Sequence, residues 1–288
     1  MNKIRKLKNY VYLIRLNKPF LAIPFAVTAA FLACTGMPDR IKIIGMLIAV
    51  FSGFFAGNAF NAVTDRELDR RNPRSAERPV ASGQISVREA LFVLLLSVLF
   101  VIAGTAIIAW YYVLLLPIPL LFCLGYSLSK RYTWLCHIIL GITNAICPVA
   151  SWGVFYGWKN IYLWLMGAIV FCWTIGFELL YSSQDVEYDR MFGTKSIPSV
   201  FGCAVSYKIS HVCHVVMFVL WGIFYAAFRP GTIFGVGLLV TAPIMIYEHT
   251  LVKDDIVQNP ALAFDLNQVY SIFVMVFAVL NNVVGGYK

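Results

Sequence analysis

The sequence predicts an all-α polytopic membrane protein with about nine transmembrane helices. Of its 288 residues, 60% are hydrophobic and only 13% are charged, whereas about a quarter of the residues of a soluble domain are charged. The hydrophobic residues form continuous runs close to the length that a helix needs to cross a bilayer, without the alternation of a β-barrel. Aromatic residues make up 15% of the chain, in keeping with aromatic belts at membrane interfaces.

Nine apolar segments approach or meet the length of a membrane span. The first and eighth are short or contain proline, so the predicted count is nine plus or minus one. No polar stretch is long enough for a soluble domain, which predicts a single transmembrane domain over residues 1–288. The spans are predicted at 18–36, 41–61, 89–109, 112–130, 137–155, 161–181, 205–228, 231–247 and 264–284.

The few charges are distributed unevenly between the two sides of this topology. Eighteen of the 23 Lys and Arg residues fall on the side of the N-terminus and five on the other. Since cytoplasmic loops carry such an excess, we expect a cytoplasmic N-terminus in a multi-pass protein of the inner (plasma) membrane. Of 14 acidic residues only Asp39 falls on the outer side, which predicts that the chemistry is cytoplasmic. A net charge of +9 would suggest nucleic acid in a soluble protein, but here no nucleic-acid partner is expected.

An acidic motif follows the second predicted span. Asn61, Asp65 and Asp69 recur every four residues, so a helix would carry all three on one face. This spacing predicts a set of oxygen ligands at the inner end of the span.

A matching motif follows the sixth span. Asp185 and Asp189 are four residues apart, and Glu178 lies two turns deeper on the same face. Mg²⁺ is commonly bound by one or two carboxylates together with substrate phosphate oxygens and water. Two opposed carboxylate pairs therefore predict two Mg²⁺ ions that clamp a diphosphate.

Basic residues accompany both motifs. Four aspartates and two Mg²⁺ ions carry no net charge, so the diphosphate would need cations from the protein. The candidates on the same side of the membrane are Arg66, Arg70, Arg71, Arg74, Arg78, Lys130, Arg131, Arg190 and Lys195.

Taken together, these residues resemble the motifs of the UbiA superfamily of intramembrane prenyltransferases. The first superfamily motif, NDxxDxxxD with a later Arg-Pro and Ser-Gly, is similar to Asn61, Asp65, Asp69, Arg78–Pro79 and Ser82–Gly83. The second is similar to Tyr181, Asp185, Asp189 and Gly193–Ser196. The resemblance covers essentially the whole chain. It is nearest to 4-hydroxybenzoate polyprenyltransferase-like proteins, including the futalosine-route menaquinone branch, in segments 130–141, 182–190 and 247–249.

The resemblance implies a Mg²⁺-dependent enzyme that transfers a polyprenyl group from polyprenyl diphosphate to an aromatic acid in ubiquinone or menaquinone biosynthesis. The acceptor would be 4-hydroxybenzoate or a dihydroxynaphthoate, and the reaction would pass through an allylic carbocation. The expected metal ligands are Asn61, Asp65, Asp69, Asp185 and Asp189. The expected diphosphate ligands are Arg66, Arg78, Tyr126, Lys130 and Lys195. Glu178 is predicted to orient or deprotonate the acceptor, and Arg15 or Lys18 to bind its carboxylate.

One position departs from the superfamily pattern, because Ala62 stands where the pattern has Asp. This removes one potential oxygen ligand. Two alternatives remain open, namely another UbiA-type lipid prenyltransferase and, in a different class, a membrane transporter. Transporters usually place polar residues near the bilayer midplane, whereas these acids concentrate at one end of the spans. CDP-alcohol phosphotransferases also use membrane aspartates, but their single motif is not found in this sequence.

Overall fold

Helices account for most of the chain in the computed structural model, which describes residues 3–16, 21–253 and 256–285. The α-helices are α1 (Lys3–Leu13), α2 (Ile23–Ala33), α3 (Arg40–Thr64), α4 (Arg66–Arg71), α5 (Val87–Ile108), α6 (Pro117–Ser129), α7 (Cys136–Phe155), α8 (Ile161–Ser182), α9 (Val186–Phe192), α10 (Ile197–Phe201), α11 (Cys203–Phe228), α12 (Thr232–Thr250) and α13 (Pro260–Val284). Short 3-10 helices occupy Trp110–Leu115 and Ser183–Asp185, and β1 (Val252–Lys253) pairs antiparallel with β2 (Ile256–Val257).

The predicted membrane fold is confirmed, and the predicted number of spans is close. Within the described residues, eight helices are long and apolar enough to cross a membrane. At the first predicted span the structure has α2, which at 11 residues is shorter than the roughly 20 residues of a crossing helix. Residues 17–20 of that predicted span, including Lys18, lie outside the described residues.

Local sequence signals explain where the helices around the two motifs begin and end. Ser86 and Glu89 form a reciprocal capping box at the start of α5. Asp39 caps α3 by accepting a hydrogen bond from the backbone N–H of Lys42, at 2.9 Å. At the other end of α3, Asp65 interrupts the helix, but its N–H still donates to the carbonyl of Asn61 and its carbonyl accepts from the N–H of Asp69. The chain therefore keeps its helical direction through the first motif.

The core of the bundle is built around α8. In the most apolar 18-residue stretch of this span, 67% of the residues are buried, compared with at most 39% in the corresponding stretches of the other spans. Large aromatic side chains from neighbouring helices surround it, and the Trp221 indole N–H donates to the Tyr270 hydroxyl at 3.0 Å. By contrast, α5 exposes Phe92 and Leu95 at its surface, as expected for a helix that faces lipid. The sixth-span motif thus follows the most rigidly packed helix of the described chain.

A close helix crossing supports the other wall of the site. Gly45 of α3 packs directly on Gly104 of α5, where an added Cβ at Gly45 would lie 2.6 Å from the Gly104 carbonyl oxygen. Small residues of this kind let transmembrane helices approach closely. The contact fixes α3, and with it the first motif, against α5.

Candidate active site

One large cavity of about 810 Å³ joins the two acidic motifs to the interior of the bundle. Its polar end is lined by the first motif on α3 and α4 and by the second motif at the end of α8. Its other end is apolar and reaches Met46, Ile108 and Trp158. Between Met46 and Asp65, α3 rises 1.5 Å per residue, so the cavity extends about 28 Å along this helix. The space therefore suits a long apolar molecule with a polar head.

The first motif lies at the polar end with its carboxylates already engaged. Asp65 is 1% exposed, accepts a hydrogen bond from the Asn61 side chain at 2.7 Å and forms an ion pair with Lys130. Both carboxylate oxygens of Asp69 contact one nitrogen of Arg78, at 2.8 and 2.9 Å. Buried carboxylates require such partners, because an unpaired buried charge is costly.

The second motif faces the first across the cavity. The Arg74 guanidinium binds both oxygens of Asp185, with Nε 2.9 Å from Oδ1, and the Asn72 amide donates to the same oxygen at 3.2 Å. Ser196 donates to Asp189 at 2.9 Å. Arg74 and Asn72 belong to the loop after the first motif, so they connect the two motifs directly.

Arg74 remains a cation in this position. Burial lowers the pKa of Arg74, but its hydrogen bond to Asp185 and the charge of that carboxylate raise it more, and the pKa lies above its ordinary value. Its guanidinium carbon also lies 5.8 Å from the centre of the Tyr181 ring, a distance at which an aromatic face attracts a cation.

The donor set at the polar end fits a hard divalent cation. Its carboxylate and amide groups supply the oxygen ligands that Mg²⁺ prefers, and Asp65 Oδ1 is buried without a hydrogen-bond partner among the described residues. Among the described residues, no group of three or more His, Cys, Asp and Glu converges closely enough to hold a metal alone. A metal bound here would therefore be completed by substrate oxygens and water.

Deeper in the cavity, Glu178 and Arg15 carry opposite charges. Both line the cavity, and Glu178 interacts electrostatically with Arg15 and Lys130. Burial, and next the charge of Arg78, lower the pKa of Arg15. Neither side chain has a hydrogen bond or short ion pair within the part of the chain that the structure describes. Both are therefore free to bind a substrate.

The chain before Arg15 is held in place by α1. Lys6 forms an ion pair with Glu89 of α5, and the Tyr10 hydroxyl donates to the same carboxylate at 3.1 Å. Arg15 itself has a positive φ of 50°, which is uncommon for a residue with a side chain. The contacts of Lys6 and Tyr10 with Glu89 hold α1 against α5 and thereby fix where the chain reaches the cavity at Arg15.

Most predicted site residues meet in this cavity, but two do not. Asn61, the four motif aspartates, Arg78, Tyr126, Lys130, Glu178 and Arg15 all line it. Arg66 and Lys195 are not among the described residues that do, and Lys18 lies outside the described residues. The Lys195 ammonium donates to the Tyr132 carbonyl at 3.2 Å, and its N–H donates to the Lys130 carbonyl at 2.7 Å. Lys195 therefore supports the loop that carries Lys130.

The departure at Ala62 has little consequence for the cavity. Ala62 packs against the apolar cluster of Leu13, Val80, Ile85 and Ala90, one helical step away from the face that carries Asn61. The position is not among the described residues that line the cavity. The oxygen ligands that do line it are those of the two motifs.

The sequence did not show which residues contact the motif aspartates. Asn72, which contacts Asp185, carried no sequence signal. Arg74 and Arg131 were two of several candidate cations, and Ser196 was part of the second motif, but their partners Asp185, Asp65 and Asp189 could not be assigned from the sequence. Their positions depend on how the loops fold back, which helical spacing does not show. His137 also lines the cavity, although in sequence it is a lone histidine in an apolar helix.

The fold and the site together define a multi-pass membrane protein with an intramembrane cavity for a molecule that has an anionic head and an apolar tail. The chain belongs to the UbiA prenyltransferase family, whose model matches residues 22–274. It is therefore an enzyme, a prenyltransferase, and the transporter alternative is not supported.

Curated relatives and solved structures extend this comparison. The 4-hydroxybenzoate octaprenyltransferase of Francisella tularensis subsp. tularensis (strain WY96-3418) is 26% identical over 289 residues, which cover 99% of each chain. That of Shewanella loihica (strain ATCC BAA-1088 / PV-4) is 28% identical, over 86% of this chain and 88% of the relative. The apo structure of a UbiA homolog from Aeropyrum pernix K1 has a TM-score of 0.83 at 28% identity, over 91% of this chain and 97% of the homolog. A UbiA homolog from Archaeoglobus fulgidus bound to GPP and Mg²⁺ has a TM-score of 0.69 at 18% identity, over 96% and 100%.

Proposed function

We propose that this protein is a Mg²⁺-dependent aromatic polyprenyltransferase of quinone biosynthesis, with the whole chain, residues 1–288, as one catalytic domain. It would transfer a polyprenyl group from polyprenyl diphosphate to 4-hydroxybenzoate or a dihydroxynaphthoate and release diphosphate. The observation that carries this proposal is the single cavity that joins two opposed aspartate motifs to an apolar space about 28 Å long. The names of the curated relatives and the GPP- and Mg²⁺-bound homolog support it.

The residues that would hold two Mg²⁺ ions are Asn61, Asp65, Asp69, Asp185 and Asp189. When bound, the metal supplies Lewis acidity that polarises the diphosphate and offsets its charge. Asp65 Oδ1, which accepts no hydrogen bond from the residues that the structure describes and lies 3.9 Å from the Arg131 guanidinium, would provide one ligand. The remaining carboxylate oxygens are held by basic side chains and would be released as substrate binds.

The same basic side chains would bind the diphosphate. Lys130, Arg78 and Arg74 each pair with one motif aspartate, and all three line the cavity beside the proposed position of the head group. We propose that each exchanges its carboxylate for diphosphate oxygens in the substrate complex. Preorganised cations of this kind stabilise the charge that develops on a leaving group. Tyr126 would add a hydroxyl donor to the same head group.

The apolar part of the cavity would protect the allylic cation. Breaking the C–O bond leaves a carbocation that water would quench, and the walls formed by Phe54, Phe122 and Phe177 exclude water from it. Aromatic faces also attract cations. Tyr181, whose ring already lies near the Arg74 guanidinium, would contribute such a face beside the motifs.

The acceptor would bind between Arg15 and Glu178. Arg15 is a charged donor suited to the carboxylate of an aromatic acid, and Glu178 would accept a hydrogen bond from a ring hydroxyl. The electrostatic interaction between the two side chains supports the assignment of both functions to one end of the cavity. The alternative acceptor contact, Lys18, lies outside the described residues.

We also propose that the polar end of the cavity faces the cytoplasm. Eighteen of 23 basic residues lie on that side in the topology inferred from the sequence, which is the bias of cytoplasmic loops. Water-soluble aromatic acids and Mg²⁺ would then enter from the cytoplasm of the cell, while the polyprenyl chain enters from the bilayer.

The proposal is tested with the purified protein in lipid nanodiscs, supplied with labelled geranyl or octaprenyl diphosphate, Mg²⁺ and a panel of acceptors. The panel contains 4-hydroxybenzoate, 1,4-dihydroxy-6-naphthoate and a glyceryl phosphate. A prenylated aromatic acid supports the proposal, whereas a prenylated glyceryl phosphate alone would favour the alternative lipid prenyltransferase.

Matched variants test the residues. Asp65→Ala and Asp185→Ala are expected to abolish turnover. The controls Glu67→Ala and Glu187→Ala remove exposed acids next to the same motifs and are expected to keep it. Near-native turnover in either aspartate variant would contradict the assigned metal ligands.

A further inference from the structure

His137 is a buried histidine at the cavity whose hydrogen-bonding capacity is unused. It is 3% exposed, lines the cavity, and neither ring nitrogen has a hydrogen-bond partner among the described residues. The other three histidines of the sequence do not line the cavity. Leaving a buried polar group unpaired is costly, so such a group in a cavity is explained most simply by a ligand that pairs with it.

The register of two antiparallel helices shows where along the cavity His137 lies. The Asn144 side chain of α7 donates to the Thr174 hydroxyl of α8 at 3.3 Å, which sets these two residues level. Glu178 is then level with residue 140, and His137 lies three residues, about 4.5 Å, nearer the motifs. By the same register, Asp185 lies about 6 Å beyond His137. His137 therefore lies between the acceptor end and the diphosphate end of the cavity.

The surroundings of His137 support this placement. The adjacent Cys136 also lines the cavity, and its thiol donates to the carbonyl of Lys195, which belongs to the loop after the second motif, at 3.4 Å. Glu178 interacts with the cations Arg15 and Lys130, which suits it to hold the acceptor.

We propose that His137 contacts the acceptor ring and takes its proton in the final step of the transfer. This inference rests on the proposed function. A neutral imidazole has one nitrogen that donates and one that accepts a hydrogen bond. The donor nitrogen would hold an oxygen of the acceptor, and the free nitrogen would face the reacting carbon.

Prenyl transfer and removal of the ring proton balance in atoms and electrons. The C–O bond of the prenyl diphosphate breaks, and its electron pair leaves with the diphosphate. A π pair of the aromatic ring forms the new C–C bond to the allylic carbon. The ring C–H bond then breaks, its electron pair restores the aromatic ring, and the proton binds the free nitrogen of His137. The imidazolium finally gives this proton to the departing diphosphate or to water, so no external oxidant or reductant is needed.

The test compares His137→Gln with the wild type and with the control His211→Gln, which replaces an exposed histidine outside the cavity. The acceptor is used with hydrogen or deuterium at the ring position that becomes prenylated. In His137→Gln we expect kcat to fall about 10²-fold, the contribution typical of a general base, with an unchanged KM for prenyl diphosphate. A primary deuterium isotope effect, absent in the wild type and in His211→Gln, is expected because proton removal has become slow.

The isotope effect is a ratio within one preparation, so it does not depend on how much of the variant folds. Should His137→Gln be too slow to measure, His137→Ala with added imidazole is expected to recover turnover. A near-native kcat in His137→Gln would overturn the proposal, and so would a loss of rate without an isotope effect. If both His137→Gln and His137→Ala are inactive, the absence of rescue by imidazole would overturn it.

Stability provides a second readout. Because the His137 ring makes no hydrogen bond to the described residues, His137→Gln is expected to keep a Tm within about 2 °C of the wild type, and a larger loss would indicate a structural histidine instead. A wild type that forms no prenylated aromatic product would refute the proposed function. A fully active wild type with an unaffected His137→Gln would refute this inference alone.

Discussion

Replacing Arg74 by alanine should distinguish the stability contributed by its ion pair with Asp185 from its proposed binding of the diphosphate. In Arg74→Ala, Asp185 loses a two-pronged ion pair in which the side chains are 36% and 20% exposed. Hydrogen bonds to charged groups contribute about 1.5–3 kcal/mol, and partial exposure reduces this value. We therefore expect a loss of about 1–2 kcal/mol, or a Tm lower by roughly 2–6 °C. Without the competing guanidinium, Asp185 should bind Mg²⁺ more readily, so added Mg²⁺ should raise the Tm more than in the wild type.

The assay combines thermal unfolding in a Mg²⁺ series with steady-state kinetics. For Arg74→Ala, kcat/KM for prenyl diphosphate should fall about 10²-fold, as for other donors to a developing anion. The control Arg70→Ala removes an exposed arginine of α4 and should change neither quantity. Native kinetics in Arg74→Ala, or an unchanged Mg²⁺-induced Tm shift, would refute the exchange of carboxylate for diphosphate.

Three further predictions concern the tail, the acceptor and α1. Gly53 lines the cavity about 18 Å along α3 from Asp65, where the distal part of a long polyprenyl chain would lie. Gly53→Phe should therefore reduce kcat/KM for octaprenyl diphosphate far more than for geranyl diphosphate. Equal losses for the two substrates would contradict the proposed position of the polyprenyl chain along α3. Glu178→Gln should raise KM for the acceptor in initial-rate assays and leave KM for prenyl diphosphate unchanged, and the reverse pattern would exclude its assigned role. The hydrogen bond and charge of Glu89 raise the pKa of Lys6 above 10.5, while burial and then Glu89 raise the pKa of Tyr10 above 10.0. Since both raised values favour the protonated side chains in the folded state, this contribution is present below pH 10 and is lost at higher pH. Hydrogen exchange of α1 should accelerate there, and Glu89→Gln should show fast exchange already at neutral pH.

The membrane-spanning helices could be predicted because each depends on a local property of the chain. A continuous apolar run of sufficient length leaves the backbone no alternative to helix in a bilayer, and eight predicted spans have matching helices in the described residues. The region around α2 differs because its helix is only 11 residues long. Hydropathy detects apolar composition but not where a helix ends within it.

Helical spacing in the sequence pointed most directly to the aspartates that line the cavity. Asp65, Asp69, Asp185 and Asp189 follow the four-residue spacing that brings side chains to one face, and all four line the cavity. Arg74 reaches Asp185 over a separation of 111 residues, a contact set by loop folding.

Lys195 and His137 also show what helical spacing cannot predict, namely the contacts that a side chain makes in the folded protein. Lys195 is near the motif in sequence, but its ammonium is directed to the Tyr132 carbonyl. His137 becomes notable only when its missing hydrogen-bond partners can be seen in three dimensions.

The central claim is that the two opposed aspartate motifs transfer a prenyl group to an aromatic ring. Mass spectrometry of the product formed by the wild type from geranyl diphosphate and an aromatic acid tests this most directly. The expected product has the mass of the acceptor plus one geranyl group less one hydrogen, and it forms with Mg²⁺ and is lost with a chelator. Geranyl alcohol alone, or a prenylated aromatic acid that forms equally well after chelation, would contradict it.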